Sequence, residues 1–547
     1  MKNEVNVCLP SRSAGRRVII GALCFMAALS AFAGQGRPNI VLINADDMGV
    51  GDVSGLNPEG KIPTPHIDSM IDNGLALLNG HSSSGVCTPS RYSLLTGRYS
   101  CRASISGQVA KGNSPARVEE GRTTLASLLK KSGYRTAMIG KWHLGLDWKP
   151  LPNAKQSKKG VIALKDIDYS KPFGGGPVDR GFDSFFGIAA SLDIPPYVWL
   201  IDNRVSEVPT ETQPAVKGKQ APGGYMREGP KAASFEMVDA LPRMGDEAVD
   251  LIKACAPEAK AGTPFFLYLA LNSPHTPIVP SAEWEGKSAI GTKYADFAMQ
   301  TDGVVGQVLN ALREAGLEEN TIVIFTADNG CAPHADYTVH LEKGHNPSYI
   351  YRGQKGDLYE GGNRVPFVIQ WPAGAPKGRR SDQLISHVDF LATFAELTGQ
   401  KLADNEGEDS ISFLPLLKGV SDTSPRKSAI YNTISSKLAI TDGDWKLIVG
   451  EGSGGWTRPG ERYMKTAFGA VKDENPLPMG LFNLKDDVGE YKNLLLEYPE
   501  VKQRVFEKLK HDLERGRSTP GKPQASNINR LDYLDREKGK GKKSKAK

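Results

Sequence analysis

Cysteine is scarce in this chain, six in 547 residues, and no two of them form a CxxC pair. That argues against a zinc ribbon or a small disulfide scaffold. Cys8 and Cys24 fall in the first 33 residues, and Cys87, Cys101, Cys255 and Cys331 lie far apart. No usable Asn-x-Ser/Thr sequon occurs, an absence that leans towards a bacterial exported protein over a glycosylated lysosomal one. No internal repeat is present, so a solenoid is not indicated. The apolar run Val18 to Phe32 falls short of the roughly 20 residues that span a bilayer, and no stable membrane anchor is expected. A basic surface is also missing. The net charge is +6, and the stretch Arg536 to Lys547 alone carries seven Lys or Arg against one Glu, which equals the whole excess.

What is present at the N-terminus is a leader. Lys2, Arg12, Arg16 and Arg17 precede the apolar run, and Ala31-Phe32-Ala33 is a small-x-small cleavage pattern. Residues 1–33 therefore read as a secretory signal peptide, giving an exported protein, periplasmic or secreted. Cys24 sits inside the run and not at its end, which argues against a lipoprotein, while Arg16-Arg17 faintly suggests twin-arginine export. At the other end, residues 516–547 read as a basic, disordered tail. A solvated end is the preferred reading over attachment to anionic polysaccharide or nucleic acid, and no nucleic-acid partner is expected.

Between these ends the chain is long enough for one large domain and a smaller one. Apolar content of 39% and charged content of 24% are those of a globular protein. Five runs rich in Ile, Val, Leu and Phe read as strands covered on both faces: 39–44, 135–139, 264–271, 321–326 and 365–371. Helical patterns lie between them, at 124–131 (closed by Gly133), 294–317 and 387–397. This alternation predicts an α/β fold with a large, mostly parallel sheet flanked by helices over 37–400. Short strand-like runs at 428–433, 438–441, 445–449 and 481–483, then an amphipathic stretch at 497–513, predict a smaller α+β domain over 425–515. The boundary falls within 400–425. Two Pro-, Gly- and Lys-rich stretches, 147–180 and 202–231, read as long loops and candidate walls of a cleft.

Polar residues gather just past the predicted strand ends. Asp46 and Asp47 follow the first, Lys141 and His143 the second, His275 the third, and Asp328 and Asn329 the fourth. In an open α/β sheet these ends line the ligand crevice, so the four clusters converge. Asp46, Asp47, Asp328 and Asn329 offer the oxygen ligands that Ca²⁺ or Mg²⁺ prefer. On spacing alone, helix capping and a tight turn explain them equally well.

The stretch from Cys87 to Gly97, C-T-P-S-R-Y-S-L-L-T-G, decides between these readings. It resembles, at every fixed position, the C-x-P-S-R-x-x-x-L-T-G signature of the type I sulfatases, of the alkaline phosphatase superfamily. Other segments are similar to the family's motifs in the family's order: Asn44 to Asp47, Gly140 to Gly145, Ser273 to Pro277, Ala327 to Gly330, Lys355 to Pro366 and Leu481 to Asp487. The likeness covers about 37–515 and suggests arylsulfatase and N-acetylgalactosamine-6-sulfatase members.

Export, the bacterial leaning and the two long loops suggest sulfated carbohydrate as the substrate. The resemblance implies an alkaline phosphatase-like scaffold and hydrolysis of sulfate esters. It implies that Cys87 is oxidised to formylglycine, by a formylglycine-generating enzyme or an anaerobic sulfatase-maturing enzyme. It implies Ca²⁺ more than Mg²⁺, held by Asp46, Asp47, Asp328, Asn329 and residue 87. Lys141 and Lys355 are expected on the sulfate oxygens and Arg91 orienting the nucleophile, with His275 as acid and His143 as base. His334, His340 and His345 follow the Asp328 segment and are candidates for the cleft edge. The rival readings are a phosphodiester or phosphonate hydrolase on the same scaffold and a non-catalytic binder of sulfated glycans.

Overall fold

The computed structural model describes residues 36–103, 108–155, 157, 160–216, 225–455 and 477–526. The expected signal peptide and the stretch beyond 526 lie outside the described residues. The five predicted strands form at Asn39–Ala45, Arg135–Lys141, Phe265–Ala270, Thr321–Ala327 and Phe367–Gln370. They belong to one ten-stranded sheet. At its centre Asn39–Ala45 pairs in parallel with Phe265–Ala270 on one side and Thr321–Ala327 on the other. Phe265–Ala270 continues in parallel to Arg135–Lys141, and that strand to Ser184–Ile188. Phe367–Gln370 joins antiparallel, so the sheet is mixed. Every residue of the three central strands is buried, which explains why their sequences run apolar without alternation.

Two groups of helices cover the sheet. Ala240–Lys260 packs on Lys293–Glu314, which also meets Pro65–Asp72; Leu125–Lys131, Phe390–Leu397 and Cys87–Thr96 form the second group. The start of Leu125–Lys131 is set locally: Thr124 accepts from Ser127 N–H while the Ser127 hydroxyl side chain reaches back, a reciprocal cap. The loop regions at 147–180 and 202–231 do carry short elements, including turns of 3-10 helix at Leu164–Asp166 and Val178–Arg180 and strands at Glu211–Gln213 and Gly229–Lys231.

The C-terminal part is a four-stranded antiparallel sheet, Ser428–Asn432, Leu438–Asp442, Trp445–Val449 and Met479–Asn483 in that order. Helix Pro499–Glu514 lays Val505, Phe506, Leu509 and Leu513 into its apolar face. Residues 516–526, assigned to the tail by composition, are instead folded onto the main domain. Ser518 Oγ donates to Asp409 at 2.8 Å, Thr519 Oγ1 to Glu408 O at 2.8 Å, and Ala525 O accepts from Arg98 at 2.8 Å. Composition misled here because polar side chains that bond to a folded partner look the same in sequence as solvated ones.

A buried ionic cluster joins the two sheets. Lys446, on the small sheet, reaches Glu360 at 2.8 Å and Glu490 at 3.0 Å, and Glu360 also holds His81 at 2.9 Å and Arg364 at 2.7 Å. Burial and the neighbouring Glu360 charge outweigh Lys446 and push the Glu490 carboxyl up from 4.5 to about 7. The folded protein thus keeps a proton that the unfolded chain has released, and stability attributable to this group falls as pH rises from 4.5 through about 7. Glu490→Gln is expected to flatten that part of the stability profile, measured as the difference between variant and parent in urea melts across this range; an unchanged difference at every pH refutes it.

Candidate active site

The carboxyl ends of the central strands are stitched to one another at the level where the polar clusters begin. Leu271 N–H donates to Asn44 O at 3.0 Å, Asp46 N–H to Ser273 O at 2.8 Å, and Asp328 N–H to Ala45 O at 3.1 Å. The parallel register, Ala45 opposite Ala327 and Asn44 opposite Ala270, therefore puts Asp46, Asp47, Asp328 and Asn329 side by side, with His275 close behind. Asp47 and His143 take left-handed backbone conformations, φ 65° and 56°. Such conformations cost a non-glycine residue energy and gather at functional sites. Asp46 and Asp47 cap no helix, which removes that alternative.

Cys87 is the first residue of helix Cys87–Thr96, preceded by Val86 as its cap. The positive end of the helix dipole and its unpaired N–H groups thus lie where an anion would be bound. The other motif positions are accounted for locally. Ser90 Oγ donates to Ser84 O at 2.7 Å, tying the helix to the loop before it. Thr96 Oγ1 donates to Tyr92 O at 2.8 Å. Gly97 ends the helix at φ 63°, and a Cβ there would lie 2.8 Å from that of Leu391. Arg91, one turn on from Cys87, donates from Nε to Asp328 at 2.9 Å and from Nη1 to Lys141 O at 3.0 Å.

The ten residues expected to carry the chemistry converge. Lys141 pairs with Asp46, Lys355 with Asp47 at 2.6 Å, and Arg91 Nη2 with Asp328 at 2.8 Å. Asn329 Nδ2 donates to Asp47 at 2.7 Å, and His275 Nε2 lies 3.5 Å from Asp47. One oxygen or sulfur from each of Asp46, Cys87 and Asp328 falls within 4.8 Å of the others. His143 is buried beside Lys141, and its Nε2 lies 2.9 Å from Ala110 O. Since a carbonyl only accepts, Nε2 carries the hydrogen, and Nδ1 is left as a lone pair with no hydrogen-bond partner among the described residues.

The charges shift one another. Burial alone would raise Asp47, but His275, Lys355 and Lys141 outweigh it and hold its carboxyl below the usual range. Burial and Asp46 push Asp328 up to about 6 against the pull of Arg91 and Lys141. Burial lowers His275 to about 4; Lys355 and Lys141 add to it, and Asp47 and Asp193 oppose it. Burial, then Lys141 and Arg91, keep His143 neutral well below its ordinary value. The Cys87 thiol, 2% exposed, is pushed up by burial.

A cation fits this donor set. Three carboxylates and an amide oxygen are a hard ligand set, and two buried oxygens, Asp46 Oδ1 and Asn329 Oδ1, have no hydrogen-bond partner among the described residues. The four cysteines of the described residues form no disulfide.

Of the histidines following Asp328, only His334 borders the cluster; Lys355, Asp47 and His275 all act on it. His340 and His345 turn inward, His340 to Thr292 at 2.8 Å and His345 to Asp52 at 2.9 Å. Residues without a motif also reach the site. Asp193 acts on both His275 and His334, and it pairs with Arg227. Their signal in the sequence was only their position in and beside the second long loop.

The sulfatase family model matches residues 38–400. An N-acetylgalactosamine-6-O-sulfatase of Bacteroides thetaiotaomicron is 32% identical over 86% of this chain and 92% of its own. The mouse N-acetylgalactosamine-6-sulfatase is 29% identical over 94% and 92%. A solved structure described under the metabolism of multiple glycosaminoglycans by Bacteroides thetaiotaomicron superposes with TM-score 0.73 at 30% identity, covering 87% of this chain and 99% of that one. With the family model spanning most of the chain, the Cys87 signature intact and its partners gathered around it, this protein belongs to the sulfatase family and is a sulfuric ester hydrolase.

Proposed function

We propose that the protein is an exported sulfatase that removes sulfate esters from carbohydrate, using Cys87 as formylglycine and a bound Ca²⁺. The observation that carries this reading is the setting of Cys87: at a helix N-terminus, 2% exposed, with Lys141 and Lys355 both close enough to act on it. The carbohydrate substrate is supported by relatives named N-acetylgalactosamine-6-sulfatases, and export by the leader read at 1–33. Conversion of Cys87 requires a partner, a formylglycine-generating or anaerobic sulfatase-maturing enzyme.

As an aldehyde hydrate, residue 87 would supply one hydroxyl to attack sulfur and a second whose deprotonation lets sulfate leave, splitting one displacement into two. Asp46, Asp47, Asp328 and Asn329 would hold the Ca²⁺, which supplies positive charge to the attacking hydroxyl and a sulfate oxygen. The chain's own cations are arranged for the rest. Lys141 and Lys355 flank residue 87 and neutralise sulfate oxygens as charge spreads. Arg91 holds Asp328 and Lys141 O at once, so it keeps the nucleophile's helix in register with the carboxylates.

His275 is the proposed acid for the leaving alcohol. It is neutral at neutral pH in the free protein, with its pKa near 4. The negative charge of a bound sulfate ester beside it favours the imidazolium, so the proton is taken up with substrate. His143 is the proposed base, since its free Nδ1 can accept a proton while Nε2 stays on Ala110 O.

Sulfate release from N-acetylgalactosamine-6-sulfate, measured by ion chromatography on enzyme co-produced with a maturing enzyme, tests the reading. Cys87→Ala is expected to abolish it, and His275→Ala to lower kcat by roughly 10²–10⁴-fold. Release by Cys87→Ala at the parent rate would sink the proposal. Calcium is tested without turnover: added at about 100 times its Kd it should stabilise the parent by about 2.7 kcal/mol and stabilise Asp328→Asn far less. Equal stabilisation of both would remove the metal from this site.

A further inference from the structure

The sulfate half of the site leaves open which residues contact the alcohol being released. One cluster beside it has no role in the chemistry above. The segment that follows strand Ser184–Ile188 runs along the Lys141 to His143 turn, with Trp142 and His143 N–H groups donating to Ile188 O and Ala189 O, both at 3.1 Å. It then reaches Asp193 and Pro195. Pro195 abuts Gly112, where a Cβ would stand 2.0 Å from Pro195 O; two residues before Gly112, Ala110 O holds His143. This backbone placement sets Asp193 just past the stretch that lines the His143 turn, and its charge acts on His275 and His334.

Asp193 is 4% exposed at its side chain and pairs through Oδ2 with Arg227 Nη1. Its other oxygen, Oδ1, is buried and accepts no hydrogen bond among the described residues. A buried carboxylate oxygen without a donor is costly unless something else supplies one. Arg227 remains 41% exposed, although its backbone N–H donates to Asp193 O at 3.1 Å and Tyr197 OH donates to its carbonyl at 2.6 Å. Its guanidinium lies over the Tyr225 ring at 4.9 Å, and that ring meets His334 edge-on at 5.8 Å. His334 thus links the group to His275, with Tyr225 against His334 and Arg227 joined to both Tyr225 and Asp193.

An acceptor and a bank of donors locked together suit a ligand that donates from one hydroxyl and accepts at its neighbour. A pyranose carries such adjacent groups; a phenol-derived ester carries none. We propose that Asp193 and Arg227 are the specificity-determining pair of this enzyme, binding two neighbouring hydroxyl or amide groups of a sulfated pyranose while Tyr225 flanks its ring. This rests on the sulfatase reading of the same site and adds to it the residues that select a sugar over an aryl leaving group. The energetic basis is that a site built to hydrogen-bond a hydroxyl discriminates strongly against a ligand lacking it.

The test compares kcat/KM on N-acetylgalactosamine-6-sulfate with that on 4-nitrophenyl sulfate, for the parent, Asp193→Asn, Arg227→Ala and Arg227→Lys. The sugar-to-aryl ratio is expected to fall about 100-fold in Asp193→Asn and Arg227→Ala, with partial recovery in Arg227→Lys. An unchanged ratio, whether both activities hold or both fall together, would mean the pair only braces the loops and would overturn the inference. A parent that releases sulfate from neither substrate would instead count against the proposed function. In that case calorimetric titration of the sulfated sugar into Cys87→Ala, with and without Asp193→Asn, still decides: about tenfold weaker binding supports the pair, and equal binding overturns it.

Discussion

Three carboxylates crowded at one end of a sheet are tolerable only because three fixed cations face them. Asp46, Asp47 and Asp328 are all buried, and Lys141, Lys355 and Arg91 meet them one to one. Removing any of these cations would leave a buried charge uncompensated, which is why such clusters stand or fall together. Every other placement in the site follows from this balance. Arg91 comes from the Cys87 helix, Lys141 from a strand end, and Lys355 from a separate loop, so three different segments are tied together at the carboxylates.

The small C-terminal sheet takes part in that arrangement. Lys355 lies in a segment fastened at several points: Lys355 N–H to Cys331 O at 2.9 Å, Gly356 N–H to Gly85 O at 2.7 Å and Leu358 N–H to Ser453 O at 2.9 Å. Ser453 Oγ also donates to Asp357 at 2.7 Å. Five residues beyond Lys355, Glu360 is locked to Lys446 of the small sheet. The loop just before Cys87 and the lysine that faces it are thereby held in one frame, and the second domain closes the frame from outside. Its apolar face is packed under helix Pro499–Glu514.

Much of this was legible in the residue order. The central strands were read within a residue or two of their ends, because strands buried on both faces are continuous apolar runs. The helix from Leu125 was readable from its apolar pattern and its closing glycine. The ten candidate residues that the structure brings together were picked out because strand ends gather side chains and because their segments resemble the family's motifs. The reading failed where no local rule applies. His340 and His345 follow Asp328 in the same segment as His334, yet they turn into the protein to meet Thr292 and Asp52. Residues 516–526 looked like tail because their anchors, Asp409, Glu408 and Arg98, are more than a hundred residues away.

The sequence by itself determined the family and with it the class of reaction: a motif cysteine, with carboxylates at strand ends and lysines and histidines in the family's order. It also determined the fold class, since hydrophobic periodicity is a local property. Only the tertiary structure decided which of these groups touch, how far each charge shifts its neighbours, and which residues without a motif stand beside them. Asp193 and Arg227 are the clearest case. They are 34 residues apart, one just past a strand and the other in a Pro- and Gly-rich loop, and only the packing of Pro195 against Gly112 and Gly229 brings them to the histidines. Contacts across such distances depend on how loops pack, and loop packing leaves no period in the sequence to read.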